Sequence, residues 1–444
     1  MLDKQRCQEI FAELVKHSDA DETELLISGG SHALTRFANN TIHQNVAEEG
    51  YIYSVRTAFG QRTARATTNR PDSESLKRVV AESASLARQQ QPNPELLPMP
   101  GPQACPPVHR YFEPTAAITP SQRAEVVAAA IRVAEKNGLT AAGTYATGQT
   151  MQALLNSRGL AAYCRSTHAE FSITTTGPTS TGWAKKTAPD AGEIDGVALA
   201  ERAAQIAIRS RDPQEIPPGT YATILSPSAV LDLVGFMFYD FSGQAVRDQR
   251  SFLTDRIGTK LFGENITIRD DVYHPLQMGP PFDGEGICRK ALPLVERGVI
   301  KNLTYARSTA KAMGVEPTGH GFPLPNEYGE FPVNIVFEGG TNSVEEMIAS
   351  TERGILVTRL WYIREVDPYK KILTGMTRDG TFLVENGKIA HGIRNFRFNE
   401  SLIDMLNCVE MLSPAERASG EESFPMVVPA LKVSAFHFTE ATKF

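Results

Sequence analysis

The sequence predicts an α+β protein, with an N-terminal α/β layered region followed by a C-terminal β-rich antiparallel domain with packed helices. Three observations predict it. Residues 343–398 read as helix, strand, turn, strand, turn, strand, which is the order of an antiparallel sheet with a helix at its side. Upstream, helical and strand patterns alternate in two blocks, residues 1–91 and 119–212. Between the blocks fall Pro92, Pro94, Pro98, Pro100, Pro102, Pro106 and Pro107, which remove N–H donors and stiffen the chain, so neither a helix nor a central strand can run through. Residues 92–118 are therefore expected to form a linker or a strapped-down crossover. Pro213, Pro217, Pro218 and Gly219 mark a second boundary, after which residues 219–444 form the C-terminal domain.

In chain order, the first helix starts after Asp3, a capping residue, and places Cys7, Ile10, Phe11, Leu14 and Val15 on one face. Strands expected over residues 23–28, 33–37 and 51–65 give it a surface to pack on, the last turning at Phe59-Gly60-Gln61. Asp72 caps a second helix carrying Leu76, Val79, Val80 and Leu86. Thr119, Pro120 and Gln122 supply an N-cap, a proline at the first helical position and a capping-box partner together, so a helix runs on to Gly138. Strands follow over 139–145, 152–155, 161–164 and 170–175, then an Ala-rich helix over 192–210.

The C-terminal domain opens with a strand at 221–225 and a helix capped by Ser226. Its face recurs at Val230, Leu233, Val234, Met237, Phe238 and Phe241, which predicts deep burial beneath the 354–398 sheet. A helix at 251–262, strands near 266–269 and 287–294, and a short helix at 308–313 come next. Ser343 and Glu346 then form a capping box, the helix stops near Gly354, a strand covers 355–363, and Asn386-Gly387 sets a type I′ hairpin turn. A last strand at 430–438 returns to this sheet.

A length of 444 residues suggests two or three domains, and 41% hydrophobic with 22% charged residues rules out large-scale disorder. The net charge of −6 leaves no basic footprint for holding nucleic acid through its phosphates. Residues 1–10 lack the apolar run of a secretory signal, and the apolar patch at 229–239 is too short to span a bilayer, so a cytoplasmic protein is expected. Cys7, Cys105, Cys164, Cys288 and Cys408 are odd in number and widely spaced, which suggests neither a disulfide framework nor a zinc knuckle.

The stretches RFANNTIHQN (36–45), NSRGL (156–160), ERGILVTRLWY (352–362), LTGMTRDGTFLVENGKI (373–389) and NFRFNES (395–401) resemble the TldD/PmbA family, peptidase subunits once described as modulators of DNA gyrase. The resemblance implies that active members hold zinc with an HExxxH motif on the first helix of the C-terminal domain and a cysteine further on. In such a site imidazole and thiolate ligate the metal and the glutamate acts as base on bound water. The matching positions here are degenerate: Gly235, Phe236 and Asp240 stand where the motif's His, Glu and His would be. No His lies between His168 and His274, and no Cys precedes Pro429 at the matching distance.

The chain thus looks like the PmbA/TldE-like branch, with no catalytic residue, metal or cofactor expected on it. Zinc is expected on a TldD-like partner in a heterodimer, a homodimer being the alternative, with unfolded peptide as substrate and neither membrane nor nucleic acid as partner. His320, Arg359 and Trp361 are candidates for lining a peptide groove. An autonomous metallopeptidase with an improvised site would have to draw on His274, His320, His391 and Asp240, which share no ligand spacing. A nucleic-acid-associated modulator is the reading from another class, and the charge argues against it.

Overall fold

The computed structural model describes residues 1–442. Strands from both N-terminal blocks join one six-stranded antiparallel sheet. β1 (Glu22–Ala38), β2 (Thr41–Phe59) and β3 (Arg62–Thr68) come from the first block, and β4 (Thr140–Asn156), β5 (Ala161–Thr176) and β6 (Thr181–Ala188) from the second, in the order β3-β2-β1-β4-β5-β6. Several strands are longer than the sequence suggests, and β6 has no counterpart in the sequence reading. Gly29 and Gly30 look like a break but instead let β1 pass between close neighbours. A Cβ on Gly29 would sit 2.2 Å from the Gly50 carbonyl oxygen, and one on Gly30 would sit 2.0 Å from that of Gln149.

The sheet's alternation divides its two faces. Leu25, Ile27, Tyr53 and Val55 pack under the helices Lys4–Val15 and Ser73–Gln89. Phe37, Tyr145, Phe171 and Ile173 pack under Pro120–Lys136 and Gly196–Arg209. The caps at Asp3, Asp72 and Thr119 form as expected, with a complete capping box between Thr119 and Gln122. Leu26 and Leu154 belong to the opposite face and meet Phe282 of the C-terminal domain.

That junction also carries a buried ion cluster. Glu24, 1% exposed, accepts from Arg56 Nη2 at 2.8 Å and from Arg65 Nη2 at 2.6 Å, while Arg65 Nε donates to the Leu324 carbonyl at 2.7 Å. Burial alone would raise the Glu24 carboxyl, but the two guanidinium groups hold it below its ordinary value. The Pro-rich segment is strapped down beside it. Met99 N–H donates to Glu22, Asn156 Nδ2 to the Pro100 carbonyl and Arg307 to the Pro98 carbonyl. Contrary to expectation, Cys105 of this segment forms a disulfide with Cys288, with S–S 2.11 Å. The partners lie 183 residues apart, so no local spacing announces the pair.

The remaining strands form two sheets. The larger runs β13 (Leu360–Asp367), β14 (Ile372–Thr377), β17 (Phe396–Ser401), β21 (Leu431–Ala441), β7 (Gly219–Leu225), β12 (Arg353–Val357), β15 (Thr381–Glu385), β16 (Lys388–Gly392), with β18 (Val409–Leu412) paired to β21. The smaller runs β10 (Val299–Ile300), β9 (Leu292–Glu296), β8 (Ile268–Asp270), β11 (Ile335–Phe337), β20 (Met426–Val428), β19 (Glu416–Ala418). The expected strand at 355–363 is thus two strands, divided at Thr358 and Arg359. Residues 251–262 form turns rather than a helix, because Ser251 and Phe252 bind back to Asp240.

Helix Pro227–Val234 lies in the main hydrophobic core with residues of both sheets, buried as expected, and its cap Ser226 donates to the Thr358 carbonyl at 2.5 Å. One detail differs. The helix is α only to Val234 and continues as a tighter 3₁₀ helix over Gly235–Phe241. Asp232, fully buried within it, accepts backbone N–H groups from Glu422 at 3.1 Å and Ser423 at 3.2 Å.

Two outcomes are expected. Replacing Cys105 with Ser removes a cross-link between distant segments and should lower stability by about 2–5 kcal/mol in denaturant melts, an effect that reducing agent reproduces in the unmodified chain. Burial pushes the Asp232 carboxyl up from 3.8 to about 7, so between those values the folded chain holds a proton that the unfolded chain does not. Stability therefore falls as pH rises through that window. Asp232→Asn should make the loss shallower, and an unchanged pH slope would show that Asp232 does not titrate there.

Candidate functional site

The degenerate motif sits on the 3₁₀ turn, and three contacts define what it can do. Gly235 faces the segment before Pro429: a Cβ there would come within 2.0 Å of Ser423 Oγ and 2.6 Å of Ser423 Cβ. The fold brings together the two segments from which a metal site would be drawn, and fills the space between them with a serine. Phe236 contributes its carbonyl, which accepts from Lys371 Nζ at 3.3 Å. Asp240 Oδ2 lies 2.6 Å from the same ammonium.

Lys371 is the residue that the sequence reading missed. It is 3% exposed, holds a left-handed backbone with φ 50°, and places Nζ 2.5 Å from Glu365 Oε1 as well as against Asp240. Asp240 Oδ1 accepts the Phe252 N–H at 3.1 Å, so both of its oxygens are engaged. Burial pushes the Asp240 carboxyl above its ordinary value, with Lys371 opposing the rise. These residues do not fit a metal ion. One ligand position has no side chain and no room for one, another is apolar, and the third is an acid already neutralised by a fixed cation. Among the described residues, no three His, Cys, Asp or Glu side chains are placed to hold a metal.

Of the groove candidates, Arg359 and Trp361 come together and His320 does not. Arg359 donates from Nη1 to Asp379 Oδ2 at 2.5 Å, and Thr181 Oγ1 donates to the other oxygen of Asp379 at 2.5 Å. The Arg359 guanidinium stands 4.4 Å from the centre of the Trp183 ring and 5.5 Å from that of Trp361, whose ring also takes Arg378 at 4.8 Å. Both tryptophans of the chain thus alternate with arginines in one stack where β6 meets the C-terminal domain. The stack, Met376 and Glu421 line a cavity of about 590 Å³. Trp183 was not anticipated, because its strand gave no alternation to read.

His320 is corrected. It is 1% exposed, with Nε2 3.1 Å from Asp270 Oδ1 and Nδ1 2.9 Å from Thr318 Oγ1. The Asp270 carboxyl, which burial alone would raise, is held below its ordinary range by His320 beside it. This is a structural pair inside the C-terminal domain, and such a side chain lines no groove. His274 and His391 lie elsewhere, each in its own local hydrogen bond: His274 Nδ1 accepts the Leu276 N–H, and His391 Nδ1 stands against the Gly392 carbonyl.

The chain matches models of the PmbA/TldA metallopeptidase C-terminal domain over residues 218–440, domain 1 over 23–87 and the central domain over 113–211. It is 25% identical over 226 residues to a metalloprotease of Methanothermobacter thermautotrophicus, covering 48% of this chain and 47% of that protein. It is 23% identical to metalloprotease PmbA of Escherichia coli O157:H7, over 50% of this chain and 47% of that one. The chain thus spans about half the length of the curated relatives it matches. The crystal structure of TldE from Thermococcus kodakarensis superposes with a TM-score of 0.88 over 98% of this chain and 100% of that one, at 22% identity. By these matches and by its three-part architecture, the chain belongs to the PmbA/TldD metallopeptidase family.

Proposed function

We propose that this chain is the metal-free, PmbA/TldE-like subunit of a PmbA/TldD-type metalloprotease that acts on unfolded peptides in the cytoplasm. In this reading a TldD-like partner supplies the zinc and the water-activating glutamate. This chain supplies fold, enclosure and peptide contacts. The observation that carries the reading is the packing of Ser423 on Gly235 together with the Lys371–Asp240 pair, which leaves the motif positions with no ligand to offer. The arginine–tryptophan stack suits the other half of the role. Flat aromatic faces and fixed cations hold an extended chain without demanding one sequence. The names of the relatives support the protease class; among the described residues no helix is long and apolar enough to cross a membrane.

Purified alone, the chain should carry well under one zinc per molecule by elemental analysis and should not hydrolyse a denatured protein substrate. Hydrolysis should appear when a TldD-like chain with an intact HExxxH is added. Stoichiometric zinc together with hydrolysis by this chain alone would overturn the assignment. Lys371→Met should destabilise the chain by about 3–5 kcal/mol in a denaturant melt, since it leaves the Asp240 carboxylate buried without its counter-ion. Lys371→Met with Asp240→Asn should recover much of that loss.

A further inference from the structure

A second cavity, of about 520 Å³, lies between the Pro-rich segment and β5, and the function proposed above makes no use of it. Its charge is one-sided. Lys4, Arg110 and Arg165 line it and, among the described residues, no Asp or Glu does, in a chain whose net charge is −6. Arg165 has one acidic neighbour, Glu113, at 4.0 Å and mostly exposed.

Arg110 is the telling residue. It is 6% exposed, and its guanidinium makes no ion pair among the described residues. Nη1 donates to the His109 carbonyl at 3.2 Å, Nη2 to those of Val272 at 2.9 Å and His274 at 3.2 Å, and Nε has no partner. Neutral carbonyls satisfy donors but leave the charge uncompensated, and a buried charge without a counter-ion is costly. Holding the 272–274 loop explains Nη2. It neither compensates the charge nor explains the convergence of two further cations on the same cavity.

The walls are built to stay in place. Pro106 and Pro107 form one side, and the Cys105–Cys288 disulfide ties them to the C-terminal domain. Tyr111 supports Arg165 from beneath, with the guanidinium 3.9 Å from the ring centre, and its hydroxyl donates to Gln149 Oε1 at 2.7 Å. Tyr163 donates to the Leu2 carbonyl at 2.9 Å. Both phenol protons are therefore committed, and the charged donors that line the cavity are those of Arg110, Arg165 and Lys4.

We propose that this cavity binds the oxyanion group, phosphate or carboxylate, of a small molecule, with Arg110 and Arg165 as its charged donors and Lys4 at its rim. Guanidinium forks suit both groups. The test is calorimetric titration of the full, disulfide-bonded chain at low ionic strength, with inorganic phosphate and separately with acetate. It needs neither metal nor a second subunit, so its outcome is independent of the protease assignment. Saturable one-to-one binding is expected for at least one probe, weakened about tenfold or more in Arg165→Gln, the loss of a hydrogen bond to a charged group. Phosphate alone would assign a phosphate ligand, and acetate alone a carboxylate. Arg110→Gln should abolish binding but also loosens the 272–274 loop; Arg165, about half exposed, can be changed without that risk. No saturable binding of either probe, or equal affinity in the unmodified chain, Arg165→Gln and Lys4→Gln, would overturn the proposal.

Discussion

A helix buried along most of its length must settle the charges it carries inward, and that constraint organises the C-terminal domain. Residues 226–241 run through the core with Val230, Leu233, Val234, Met237, Phe238 and Phe241 all at 0% exposure. Burying each such side chain is worth about 1.5–3 kcal/mol, which is ample to hold the helix in place. The same burial traps two carboxylates. Asp232 is met by the backbone of 421–423, and Asp240 by Lys371 and the Phe252 N–H. Each settlement recruits a distant segment, so the loop before β20 and the turn before β14 are drawn onto one helix. The 3₁₀ tightening follows at the point where Gly235 lets Ser423 approach and Asp240 turns toward the lysine.

The N-terminal sheet is seated by a different logic. Its helix-covered face is apolar, whereas the face toward the C-terminal domain mixes Leu26 and Leu154 with the Glu24, Arg56 and Arg65 cluster. A buried ion cluster adds little net stability over an apolar contact, but it tolerates few alternative arrangements. Arg65 reaching the Leu324 carbonyl makes the seating depend on one register of loop against sheet. The strap over residues 92–112 works alongside it through hydrogen bonds and the disulfide, which tie this Pro-rich segment to both the sheet and the C-terminal domain. If the chain works in a reducing cytosol, that cross-link is the part of the seating open to change.

Much of the fold was legible because it depends on local rules. Capping at Asp3, Asp72, Thr119, Ser226 and Ser343 needs only neighbouring residues, and each forms. Strand ends were less legible, since Gly29 and Gly30 read as punctuation until their neighbours across the sheet are known. The absence of ligands at Gly235 and Phe236 could be read directly, but what stands in their place could not. Ser423 lies 188 residues from Gly235, and Lys371 lies 131 residues from Asp240. His320 misled for a similar reason: a histidine between glycines in a loop looks exposed, and only the packing of Asp270 behind it shows otherwise. Trp183 and Arg110 acquire meaning from residues in other domains, as does the pairing of Cys105.

The residues at the motif positions bear on how a chain with a metallopeptidase-family fold fills the place of a metal site. A metal site needs a cavity, several neutral or anionic ligands and a cation. Here the cavity is taken up by Ser423, and the cation is a lysine ammonium fixed by Asp240, Glu365 and the Phe236 carbonyl. Volume and charge are therefore both balanced here without a metal. A lysine differs from zinc in the respect that matters for hydrolysis. Its ammonium is saturated by three acceptors, which leaves it no free donor with which to polarise a water, in keeping with the role proposed above.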